Sequence, residues 1–89
     1  MKIKEGFVIE KVGGQYLAVA VGERADTFNA LIRMNATGAY IWDKLSEGDK
    51  THEQMLELMA SEYDAPRELL EKDLLAFEKK LAEAGLLDE

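Results

Sequence analysis

The sequence predicts an α+β, winged-helix-like fold: a three-stranded antiparallel sheet followed by three helices. Three observations carry that expectation. Alternating apolar residues fill the first third of the chain, a Gly13-Gly14 pair separates two of these runs, and apolar residues recur at helical spacing after Asn35. A small sheet of this kind must cover its apolar face with the helices. The 89 residues fit one domain, 1–89, with a single small core.

The elements follow in chain order. Phe7 and Ile9 alternate with Val8 and Glu10, which predicts a strand near 6–12, and Gln15 to Val21 predicts a second near 15–21. Gly13-Gly14 between them is a two-residue hairpin signal, because glycine adopts positive φ without penalty. Gly22 to Thr27 is polar and reads as a loop. A third strand is expected over Phe28–Met34, with Phe28, Ala30, Ile32 and Met34 on one face and Asn29, Leu31 and Arg33 on the other. Asn35 is the expected N-cap of a helix near 36–46, whose apolar side carries Tyr40, Ile41 and Leu45. Trp42 on that helix is expected in the core. Thr51-His52-Glu53-Gln54 matches a capping box and starts a second helix over about 52–63. Pro66 suits the first turn of a third helix, with Asp64 and Ala65 both open as its N-cap. Leu70, Leu74, Phe77 and Leu81 form one apolar stripe there. Gly85 is the expected glycine after the helix end, and Leu86-Leu87 is expected to fold back on the core.

Charge narrows the function classes. The chain has 11 basic and 18 acidic side chains, a formal net charge of −7. Residues 1–46 carry 6 basic and 5 acidic groups, whereas residues 47–89 carry 5 and 13. Helices two and three resemble a helix-turn-helix, so a winged-helix regulator of transcription is the alternative reading. The acidity opposes it, because phosphate contacts need basic surface. It equally opposes anionic membrane. The absence of Cys suits a reducing compartment, and Met-Lys-Ile-Lys-Glu lacks a signal-peptide core, so a cytoplasmic protein is expected. The longest apolar run, Tyr16 to Val21, is too short to span a bilayer.

An enzyme is not expected. The single histidine, His52, falls in a first helical turn and reads as solvated rather than as ligand or base. Thr27, Thr37, Ser46, Thr51 and Ser61 have no partner for nucleophilic activation. No phosphate-binding glycine motif and no metal-ligand spacing occur, so neither cofactor nor metal is implied. What remains is the third strand. In a meander it has one partner and one free edge, whose N–H and C=O groups can template another strand. A helix flanking that edge makes a groove suited to peptide recognition by strand addition.

The segment Met34-Asn35-Ala-Thr-Gly-Ala-Tyr-Ile-Trp42-Asp-Lys-Leu45 resembles the PqqD-like family, in which a Leu-Asn-x-Thr-Gly-x-x-Ile-Trp-x-x-Leu pattern recurs, with Met34 in place of the usual leucine. Glu62-Tyr63-Asp64 and Asp73-Leu74-x-x-Phe77-x-x-x-Leu81-x-x-x-Gly85-Leu86-Leu87 are similar to its closing helix, so the resemblance covers almost the whole chain. It implies a RiPP recognition element, a peptide chaperone that binds the leader of a ribosomally made precursor peptide. The core is then presented to a modifying enzyme, often a radical SAM protein. The leader would lie as an added strand between Phe28–Met34 and the inner side of 67–81. That assigns peptide contact to Phe28, Ala30, Leu31, Ile32, Arg33 and Met34, with Leu70, Asp73, Leu74 and Phe77 opposite. Asp73, Glu71 and Glu78 would then favour a leader with Lys or Arg beside its anchors. Dimerisation through the same edge is compatible with this reading.

Overall fold

The computed structural model describes residues 1–22 and 32–88. Strand β1 spans Lys2–Ile3, β2 Phe7–Val12, β3 Gln15–Ala20 and β4 Ile32–Met34. Helix α1 follows at Ala36–Glu47, α2 at His52–Glu62 and α3 at Arg67–Glu83, and β5 closes the order at Leu87–Asp88. Strands β2, β3 and β4 form the expected three-stranded antiparallel sheet in sequential order. The expected third strand over Phe28–Met34 appears as Ile32–Met34, and its part on Phe28, Ala30 and Leu31 lies outside the described residues.

The local signals place the elements. Val12 pairs with Gln15 across the two-residue turn, and the positive φ it needs falls on Gly13 at 63°. Asn35 caps α1, its Oδ1 accepting from Gly38 N–H at 2.9 Å. The Thr51–Gln54 capping box forms in full, with Thr51 Oγ1 accepting from Gln54 N–H at 3.1 Å and Gln54 Oε1 from Thr51 N–H at 2.9 Å. Neither Asp64 nor Ala65 caps α3. Pro66 stands at the N-cap and its carbonyl accepts from Leu69 and Leu70 N–H. At the other end Gly85 takes φ 73°, Gly85 N–H reaches Ala82 O and Leu86 N–H reaches Leu81 O. These two bonds make a Schellman motif, which satisfies carbonyls the helix leaves unpaired.

The inner face of the sheet carries Phe7, Ala18, Ile32 and Met34, all buried, as the alternation requires. The helices close over it with Ile41, Trp42, Leu45, Met55, Leu56 and Met59. Helix α3 contributes its stripe of Leu70, Leu74, Phe77 and Leu81, each side chain stabilising by roughly 1.5–3 kcal/mol. Tyr40 ties α1 to α2: its hydroxyl donates to Leu58 O at 3.1 Å, and its ring meets Tyr63 edge-on at 5.5 Å.

A second sheet was not expected. Lys2 pairs with Asp88 and Ile3 with Leu87 in a two-strand ladder between β1 and β5. Lys4 N–H donates to Leu86 O at 2.9 Å beside it, which holds Leu86 buried under the chain. Strands of two residues carry no periodicity to read.

Candidate functional site

The free edge of β4 can be derived from backbone parity. Val12 and Gln15 close the β2–β3 turn, and Val21 N–H donates to Gly6 O at 2.8 Å. The odd-numbered residues of β3 therefore direct their polar groups toward β2. Tyr16 and Ala18 direct theirs toward β4, where their partners are Met34 and Ile32. Arg33, opposite Leu17, is then a non-hydrogen-bonded position whose N–H and C=O point away from β3. An independent contact agrees, because Lys80 Nζ on α3 donates to Arg33 O.

That edge opens into a cavity of about 510 Å³. Arg33, Met34 and Asn35 form one wall, and Thr37, Gly38 and Ile41 of α1 close one side. Asp73, Ala76, Phe77 and Lys80 of α3 form the opposite wall, with Gly14 and Gln15 of the turn nearby. The four α3 residues are spaced three, one and three, which places them on one helix face. Leu69 precedes Asp73 by one turn and is exposed. The floor is apolar, made by Met34, Ile41 and Phe77, all largely withdrawn from water.

Gly38 makes this packing possible. A Cβ built on it would lie 2.9 Å from Met34 Cβ and 3.0 Å from Phe77 Cε1. The Asn-x-Thr-Gly turn thus sets the height of α1 over β4 and leaves room for the Phe77 ring.

Several sequence expectations meet this geometry differently. Arg33, Met34, Asp73 and Phe77 come together around the edge, whereas Ile32 pairs with Ala18, is buried and does not line the groove. Phe28, Ala30 and Leu31 lie outside the described residues. Leu70 and Leu74 are 3% and 0% exposed, members of the core rather than of the groove lining. Glu71 and Glu78 do not face it. They turn to the α2 side, where His52 Nδ1 lies 2.6 Å from Glu78 Oε2 and His52 Nε2 lies 3.4 Å from Glu71 Oε1. His52 is therefore not a freely solvated first-turn residue, its side chain being 28% exposed. Partial burial works against its charge, but the hydrogen bonds and charges of Glu78 and Glu71 outweigh that and raise its pKa. Lys80 and Ala76 were missed from sequence. They sit one residue before the core stripe, on the 69/73/76/80 row, and only the core row has an apolar signature.

Electrostatics elsewhere leave α2 unsuited to a phosphate backbone. Its Glu57 and Glu53 pair with Arg67 at 2.8 and 3.6 Å, which spends the first cation of α3 on a helix–helix contact. Among the described residues no helix is long and apolar enough to cross a membrane.

Comparison with known proteins bears on this groove. A search of curated proteins found no match. The structure of TbiB1 in complex with the TbiA(beta) leader peptide aligns with a TM-score of 0.74 and 28% identity, covering 99% of this chain and 95% of that one. The structure of lasso peptide synthetase B1 complexed with the leader peptide aligns with a TM-score of 0.68 and 19% identity, covering 96% and 93%, and shares the fold. The family profile of coenzyme PQQ synthesis protein D (PqqD) matches residues 14–87. With that match running from the hairpin turn through β5, the chain belongs to the PqqD family.

Proposed function

We propose that this chain binds the leader segment of a ribosomally synthesised precursor peptide as an added strand on β4 and presents it to a separate modifying enzyme. The observation that carries this is the orientation of Arg33, whose backbone N–H and C=O face an open groove with an apolar floor. An extended peptide there gains main-chain hydrogen bonds of about 0.5–1.5 kcal/mol each. Leucine-sized anchors against Met34 and Phe77 add roughly 1.5–3 kcal/mol apiece, less the cost of ordering the peptide. Phe28, Ala30 and Leu31, outside the described residues, belong to the same proposal as further peptide contacts, and Asp73 as a polar marker on the far wall. The leader peptide bound in the similar TbiB1 structure supports this reading. The transcription-factor alternative is not supported by these comparisons or by the acidic face of α2.

The chain itself acts without catalysis in this proposal, in the cytoplasm. The recipient enzyme is of the radical SAM class that the family resemblance implies.

A displayed library of randomised peptides selected on the chain supplies the probe. The tightest binder, titrated into isotope-labelled protein, should shift the Arg33 amide resonance. Arg33→Pro deletes the edge donor and leaves the β3 ladder intact, so binding should weaken about tenfold or more with circular dichroism unchanged. Arg33→Ala, which removes only the side chain, should bind nearly as wild type. A folded Arg33→Pro variant that binds as tightly as wild type would overturn strand addition.

A further inference from the structure

We propose that Lys80 makes this groove selective for an extended peptide carrying a carboxylate side chain beside its apolar anchors. Its ammonium holds the Arg33 carbonyl until such a peptide replaces it. This deepens the reading above and rests on it.

Lys80 Nζ donates to Arg33 O, the acceptor that an added strand would use. The lysine thus occupies the place of the incoming strand's N–H and keeps the unliganded edge satisfied. Among the described residues Lys80 has no carboxylate partner, although the chain carries 18 acidic side chains. Its neighbour Glu83 is engaged with Lys79 at 3.9 Å. Strand addition must therefore displace an ammonium from a carbonyl. A neutral peptide releases that cation from its acceptor and offers it no charge to pair with. A peptide with Asp or Glu at this position pairs it as it is displaced.

The surroundings point the same way. Helix α1 begins two residues after β4, its first turn holds no acidic side chain, and Thr37 and Gly38 line the groove. The positive end of that helix dipole adds to the Lys80 charge. Asp73 stands two turns away on α3, about 10.5 Å along the axis, or about three residues of an extended strand. A carboxylate is repelled at that end and attracted at the other, so the pair sets register as well as preference.

The test uses the peptides selected above, on wild type, Lys80→Met and Lys80→Glu. Lys80 is exposed, so the variants keep the core intact. Wild type should enrich Asp or Glu at one position beside the anchors, and Lys80→Glu should enrich Lys or Arg there. Changing that Glu to Gln in the tightest peptide should weaken binding to wild type about three- to fivefold and leave binding to Lys80→Met unchanged. The Gln peptide should bind Lys80→Met at least as tightly as wild type, since no cation has to be displaced. Peptides that shift the Arg33 amide without acidic enrichment, or an acidic preference that survives in Lys80→Met, would overturn the role of Lys80 alone. Selected peptides that leave the Arg33 amide unmoved would instead overturn strand addition itself.

Discussion

Gly38→Ala adds one methyl group at a point where α1, β4 and α3 meet. The new Cβ would lie 2.9 Å from Met34 Cβ and 3.0 and 3.3 Å from Phe77 Cε1 and Cδ1. Neither neighbour yields easily. Met34 Cβ is rooted in the β4 backbone, and the Phe77 ring is 8% exposed within the core. Overpacking of this kind costs about 1–3 kcal/mol. Against it stands the helix preference of alanine over glycine, about 0.5–1 kcal/mol. With two contacts at or below the closest distance a Cβ adopts, the steric cost prevails, and a net loss of about 1–2 kcal/mol is expected. For a domain of this size that lowers Tm by roughly 4–16 °C. Thermal melts followed by circular dichroism measure it. The double variant Gly38→Ala/Phe77→Leu should lose less than the sum of its parts, because the smaller side chain vacates the space. An unchanged or raised Tm for Gly38→Ala would refute the packing argument, since helix propensity would then outweigh the clash.

Three further outcomes are expected. Phe77→Ala should lose about 3–5 kcal/mol in denaturant titrations, and a loss below about 1 kcal/mol would mean the ring is not a core element. Gly85→Ala should cost about 1–2 kcal/mol, because φ 73° is strained for a residue with a Cβ and the Schellman bonds depend on it; chemical melts test this. His52 has a folded-state pKa raised above its ordinary 6.5. Its stabilising contribution is therefore complete below that pH and is lost as pH climbs through the raised value. The stability of wild type relative to His52→Gln should fall over that window, and parallel pH profiles for the two proteins would contradict the ion-pair clamp.

Much of this protein was legible from residues that lie close together in sequence. The Asn35 cap, the Thr51–Gln54 capping box, the Gly13-Gly14 hairpin and the glycine stop at Gly85 each close hydrogen bonds within about five residues. The groove's strand was expected from alternation, and the structure bears out Ile32 and Met34 inside with Arg33 outside. Of the residues expected on its opposite wall, Asp73 and Phe77 line the groove, whereas Leu70 and Leu74 are buried in the core. Periodicity reports which stripe of α3 is buried, not which neighbouring row borders a gap.

What the sequence determined, then, is the set of elements and their buried faces, because helix and strand periods, caps and turns are written in local spacing. Tertiary structure alone decided the rest. The β1–β5 ladder joins residues at opposite ends of the chain, from Lys2↔Asp88 to Ile3↔Leu87. His52 meets Glu78 across 26 positions, and Lys80 meets the Arg33 carbonyl across 47. Such partners are chosen when packing of the helices on the sheet brings distant surfaces together. No local pattern records that choice, because a charged side chain on a helix reads the same whether it faces water, a histidine or a strand edge.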